Sequence, residues 1–195
     1  MPTKPPAAQL ILHIELADLV PPIWRRVEVP SNLTLAALHA VIQSVMPWGN
    51  CHMYRFESKD VMYVDEREGG GPSIKRTSVS DVLKRVGARM RYVYDYGDEW
   101  VHEIRLEARA TDSTPRLLCL EGARRAPPED SGGPWGYIDK LEILQDPDHE
   151  EYEDVVEWMV GWPDEGPPPQ YDAETFDIGD ANARLARLGE RLRLG

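Results

Sequence analysis

The chain has 195 residues, with 34 acidic and 22 basic side chains for a formal net charge of −12, and is 42% hydrophobic and 29% charged. That length and balance suit one folded domain rather than a disordered chain. No apolar run approaches the roughly 20 residues of a membrane helix, and the negative charge disfavours nucleic acid as a partner of the whole surface, since phosphate affinity comes from Lys and Arg.

Two cysteines, Cys51 and Cys119, make neither a disulfide framework nor a zinc module. Residues 1–8 lack the apolar core of a secretory signal, so the expected setting is a reduced cytoplasm, with no membrane.

In chain order, Leu10, Leu12, Ile14 and Leu16 alternate, the period of a half-buried strand. After Pro21-Pro22 a second strand is predicted, with Ile23, Val27 and Val29 on one face and Trp24, Arg26 and Glu28 on the other. Thr34 is placed as the N-cap of a helix whose Leu35, Leu38, Ile42 and Val45 recur at helical spacing and which Pro47 stops. Strand, strand, helix is the opening of β-grasp domains, an analogy of fold only. Short strands are predicted over 52–57 and 61–65, followed by a glycine loop at 69–71. Ser78 or Ser80 then caps a short helix ended by Gly87. Two strands flank Gly97-Asp98, the strongest hairpin signal, with Met90, Tyr92, Tyr94 and Tyr96 on one face and His102, Ile104 and Leu106 opposite Val101, Glu103, Arg105 and Glu107. A last strand runs through 117–120.

From Gly122 the texture changes. Residues 123–137 are dense in Pro and Gly and are read as irregular, packed down by Trp135 and Tyr137. Three helices follow: one over 137–144, one capped by Asp148 with Glu151 completing a capping box, and one starting near Asp180 with Leu185, Leu188 and Leu192. The expectation is an α+β fold in a single domain over 1–195, with a mixed or antiparallel sheet in 8–121 and a loop and helical part in 122–195.

PPIWRRVEVP (21–30), TLAALHAVIQSVMPW (34–48), YDYGDEWVHEIRLE (94–107), PPEDSGGPWGY (127–137), DPDHEEYEDVVEW (146–158) and FDIGDANARL (176–185) together resemble the plasmid pRiA4b ORF-3-like family across almost the whole chain. The resemblance implies a small α+β protein of bacteria and archaea. Some members are labelled resolvases or insertion-element passenger proteins, and no catalytic residues carry over. Pro47 stands where Gly often precedes the Trp, and Tyr96 replaces a usual Phe; both read as packing variants. Serine recombination is rejected: no Ser sits in an Arg-rich strand-end setting, and the stretch from Asp148 to Glu157 would be repelled by phosphate.

Three constellations hold candidate chemistry. Asp95, Asp98, Glu99, His102 and Glu103 surround the hairpin tip; carboxylate plus imidazole makes a metal set, with Asp98 and His102 as its candidates, or an acid/base pair. The bland reading, that Asp and Gly simply build the turn, is the stronger one. Glu129, Asp130, Gly132, Gly133 and Trp135 form a loop with exposed backbone N–H groups and an aromatic wall; equally, the two acids cap a helix and Trp135 anchors the loop to the sheet. His39 and His52, with Cys51 and with Cys119 or His102, are a weaker soft-metal set; His149 is expected to face solvent. Of the six tryptophans, Trp24 and Trp100 are read as lining a cleft or contacting another protein. No dinucleotide or Walker motif identifies a cofactor.

The preferred reading is a non-enzymatic binding or interaction module for a protein partner or small ligand, with a groove between the sheet and the Pro-Gly loop. The first alternative is a metal-assisted hydrolase or small-ligand enzyme using Asp95, Asp98 and His102, with Glu129 or Asp130. The second is a mobile-element accessory protein contacting DNA through Arg25, Arg26, Arg124 and Arg125.

Overall fold

Apolar residues at alternate positions of a strand must be covered on one face, and this chain covers them with helices. A computed structural model describes residues 8–110, 116–161, 163 and 167–193. The elements are β1 (Gln9–Leu16), β2 (Trp24–Pro30), α1 (Leu35–Val45), β3 (Tyr54–Ser58), β4 (Val61–Tyr63), α2 (Val79–Val82), β5 (Arg89–Tyr94), β6 (Trp100–Ala110), β7 (Leu118–Ala123), α3 (Gly133–Ile143), α4 (Tyr152–Val160) and α5 (Ile178–Leu192). The strands form one sheet in the order β4-β3-β5-β6-β1-β2-β7, with every strand pairing antiparallel, and the fold is α+β. Among the described residues no helix is long and apolar enough to cross a membrane.

Leu10, Leu12, Ile14 and Leu16 of β1 are fully buried, together with Val27 and Val29 of β2, Ile104 and Leu106 of β6, and Leu35, Leu38, Ile42 and Val45 of α1. The opposite face of the sheet carries ion pairs in place of a second layer: Arg26–Glu107 at 2.8 Å, Arg105–Glu107 at 2.7 Å and Arg91–Glu103 at 2.6 Å. Such exposed pairs contribute little to stability, roughly 0–1 kcal/mol each. They keep the uncovered face soluble. Thr34 caps α1, its Oγ1 accepting from Ala37 N at 3.2 Å.

β7 is an edge strand whose outer side lies against α5. Cys119 directs its N–H and C=O outward, and Asn182 of α5 meets both: Oδ1 accepts from Cys119 N at 2.7 Å and Nδ2 donates to Cys119 O at 3.0 Å. Arg25, read as one of four arginines that would contact DNA, is instead fully buried on the core face of β2. Its guanidinium donates to the carbonyls of Val45 (3.0 Å), Trp24 (2.8 Å), Ala123 (2.8 Å) and Arg124 (2.9 Å), so one side chain ties the end of α1 to β2 and β7. Burial lowers its pKa to about 10, so it stays charged at neutral pH. Phe176 covers it at 3.9 Å, and Gly122 leaves the space: a Cβ there would lie 2.6 Å from the Phe176 ring.

Several boundaries differ from expectation. α3 begins at Gly133, inside the stretch read as irregular, because Pro134 sits in the first turn, where its missing N–H costs nothing, and Gly132 supplies a left-handed N-cap. Glu129 and Asp130 therefore do not cap this helix. α4 begins at Tyr152 after Glu151 with no side-chain cap, so the Asp148 capping box does not form; His149 is half-buried and its Nδ1 accepts from Glu151 N at 3.1 Å. Ser78, not Ser80, caps α2, in a capping box with Asp81, and α2 ends at Val82 well before Gly87. Tyr96 leaves the face of Met90, Tyr92 and Tyr94 for the hairpin loop, where its ring lies under Arg55 at 4.9 Å. Trp162 lies outside the described residues.

Candidate functional site

Three irregular segments meet at one end of the sheet: residues 47–53 after α1, the β5–β6 loop 95–99, and the loop 124–132 before α3. Each is shaped by its own residues. Asp95 and Glu99 take positive φ and Asp95 Oδ1 accepts from Gly97 N at 2.9 Å, which folds the hairpin loop back on itself. The 124–132 loop is pinned at three points. Trp48 Nε1 donates to Pro127 O at 2.8 Å, Asp98 Oδ2 accepts from Gly132 N at 2.9 Å, and Glu129 accepts from Gly49 N at 2.5 Å and from the Tyr94 hydroxyl. Gly133 makes the approach possible: at φ +69°, a Cβ there would stand 2.3 Å from Asp98 O. The Pro-Gly loop is thus fastened to the hairpin tip.

This junction unites Asp95, Asp98, Glu129, Asp130, Gly132 and Gly133, six of the residues singled out in the sequence. It adds His52, which the site reading had placed with Cys51 and His39. His52 Nδ1 lies 3.4 Å from Asp95 Oδ2 and its Nε2 3.1 Å from Asp130 Oδ1. One donor atom from each of the three falls within 4.8 Å of the others, although the two carboxylates meet opposite ring nitrogens, so a bound ion would have to draw the loops slightly closer. One imidazole nitrogen and two carboxylate oxygens, half-buried to exposed, leave open positions for a ligand's oxygen.

The other candidates lie elsewhere. His102 is fully buried among Tyr92, Trp48 and the backbone of Trp100, and burial lowers its pKa to about 4. It is a core residue, not the partner of Asp98. Trp100 is likewise fully buried, a wall of the core rather than of a cleft. Trp24 stacks on His13 at 5.2 Å on the uncovered face of the sheet, and Trp135 stands 75% exposed on α3, so it is no anchor. His39 is occupied: Gln43 Nε2 donates to the Tyr92 hydroxyl at 3.2 Å, and His39 joins Tyr92 through Nδ1 (2.7 Å) and Asn50 Oδ1 through Nε2 (2.6 Å). Burial takes its pKa to about 4 as well. Cys119 lies under α5, bonded to Asn182, so the soft-metal set of Cys51, His39, His52 and Cys119 does not assemble.

The four arginines read for DNA are also engaged. Arg25 is buried, Arg26 pairs with Glu107, Arg124 pairs with Glu174 at 2.8 Å, and Arg125 lies over Tyr171 at 4.8 Å.

Residues 8–180 match the family model of the plasmid pRiA4b ORF-3-like protein. The uncharacterized protein y4hQ of Sinorhizobium fredii is 35% identical over 190 residues, covering 95% of this chain and 98% of its own. The crystal structure of MM3350, a protein of unknown function from Methanosarcina mazei, is similar to this chain with a TM-score of 0.77 and 35% identity, covering 90% of this chain and 98% of the other.

Proposed function

This chain belongs to the plasmid pRiA4b ORF-3-like family, and we propose that it is a binding module that holds a divalent cation at the junction and uses the ion's open positions to take a ligand's oxygen atoms. The observation that carries this is the convergence of His52, Asp95 and Asp130 from three separate segments. The surroundings favour binding over hydrolysis. Glu129, a further carboxylate of the junction, already accepts from Gly49 N and the Tyr94 hydroxyl on its two oxygens, which suits a structural strut better than a general base.

The test is metal content and calorimetric titration of the full chain with Zn²⁺ and Mn²⁺. One ion per chain is expected, with affinity weakened more than about tenfold by His52→Ala or Asp130→Asn, since each removes a ligand. Asp98→Asn, which keeps an acceptor for Gly132 N, should leave affinity unchanged. The absence of saturable binding, or affinity unaltered in His52→Ala, overturns the reading and leaves the His52 contacts as a clasp between loop and hairpin. Turnover of a phosphoester by the loaded protein, lost in Asp130→Asn, would replace binding with metal-assisted hydrolysis.

A further inference from the structure

A cavity of about 690 Å³ lies beside the junction, in a groove between α1 and α5. One wall is α1 with the segment after it, including Gln43, Trp48 and Asn50; the other is α5, which presents Arg184, Arg187 and Arg191. These three recur at spacings of three and four, so they share one face of the helix while Ala181, Leu185 and Leu188 face the core.

Their states differ in a telling way. Arg184 is half-buried and fixed, its Nε donating to Ser44 O at 2.6 Å and its Nη1 paired with Asp180. Arg187 and Arg191 are exposed, and neither pairs with a carboxylate among the described residues. Several other arginines, Arg85, Arg89 and Arg193 among them, likewise pair with no carboxylate among the described residues, but Arg187 and Arg191 line one groove together with Arg184, in a chain of net charge −12. Asn50 gives its oxygen to His39 Nε2, which leaves its amide nitrogen as a further donor on the opposite rim. The rise between Arg187 and Arg191 is about 6 Å along the axis, a span two linked anionic groups can bridge.

We propose that this groove binds a small, multiply charged anion, with Arg187 and Arg191 as its principal contacts, Arg184 as a fixed third charge and Asn50 as a neutral donor. The volume suits a small molecule. A nucleic acid would need a continuous basic track, whereas here the acidic remainder of the surface opposes it. The proposal is independent of the cation at the junction.

The experiment is calorimetric titration of the full chain at low ionic strength with inorganic pyrophosphate and with citrate, which separate phosphate from carboxylate chemistry. A duplex oligonucleotide is the third probe. Saturable binding of pyrophosphate or citrate at one site per chain is expected, weakened at least tenfold in Arg187→Gln/Arg191→Gln and less than twofold in Arg85→Gln/Arg89→Gln, a matched loss of charge away from the groove. Because Arg187 and Arg191 are exposed, the variant should melt with the wild type, and melting curves establish that it is folded. No binding of either small anion, equal loss in both double variants, or tighter binding of the oligonucleotide would overturn the proposal.

Discussion

Asn182 serves Cys119 as a neighbouring strand would, one amide satisfying both outward main-chain groups of an edge strand. Replacing it by Ala leaves a buried donor and acceptor unpaired, at a cost of about 1–3 kcal/mol. For a chain of this size that corresponds to a fall in melting temperature of roughly 2–10 °C. Asn182→Asp should fare no better, because a carboxylate accepts from Cys119 N but repels Cys119 O. Thermal melting followed by circular dichroism checks both, and an unchanged midpoint in Asn182→Ala would show that water replaces the amide without loss.

Arg25 is expected to resist its nominally conservative exchange. A lysine ammonium cannot span carbonyls on α1, β2 and β7 as the planar guanidinium does. Arg25→Lys should cost about 2 kcal/mol or more, because acceptors at one to three kcal/mol each lose their donor. Arg25→Met should cost more still. Urea denaturation supplies the numbers; an Arg25→Lys midpoint equal to wild type would mean that the carbonyls find other donors.

Two glycines with positive φ separate backbone strain from steric exclusion. Gly87 has φ +83° with open space where a Cβ would stand, so Gly87→Ala pays only the left-handed penalty of about 1–2 kcal/mol. Gly133→Ala adds overlap with the Asp98 carbonyl and must push the Pro-Gly loop off the hairpin. It should be the more destabilising by more than about 1 kcal/mol and should also weaken any cation held by Asp130. Equal melting temperatures for the two variants would count against the close approach.

Burial holds His39 and His102 neutral, each with a pKa near 4 against an ordinary 6.5. Between these values the unfolded chain binds more protons than the folded one, so stability is complete above about pH 6.5 and declines as pH falls toward 4. Each histidine contributes on the order of 3 kcal/mol to that decline. The carboxylates Asp81 and Asp172, held low by hydrogen bonds from Ser78 and Thr175, act in a separate window below the ordinary carboxylate value of 3.8. Denaturant midpoints measured from pH 7 to 4 should fall steadily, and the slope should be shallower in His39→Gln, chosen because the amide can retain hydrogen bonding. A wild-type profile flat across this interval would contradict the neutral buried state.

Much of the fold was legible because it is periodic. The alternation at Leu10, Leu12, Ile14 and Leu16 marked both the strand and its buried face, and Thr34 and Pro47 bracketed α1. The burial of His102 is equally readable, since it alternates with Ile104 and Leu106 along β6. The acidic half of the junction was visible in two separate places, the hairpin signal at Asp95 and Asp98 and the Pro-Gly loop that carries Glu129 and Asp130. His52 was not placed with them because segment 47–53 has no period of its own; contacts such as Trp48 with Pro127 and Gly49 with Glu129 set its path, and these join residues far apart in sequence. The opening of α3 was hidden for a different reason: Pro and Gly mark helix starts as well as loops, and density alone does not distinguish them.

The strand order has a kinetic consequence. β1 lies inside the sheet between β6 and β2, with Gln9 opposite Ala110 and Leu16 opposite His102, so it waits for β6 before both its edges are closed. Closing so long a loop is entropically slow. During synthesis the early hairpin of β1 and β2 therefore carries an unpaired edge and an apolar face, and chaperone dependence should be greatest before residue 110 emerges.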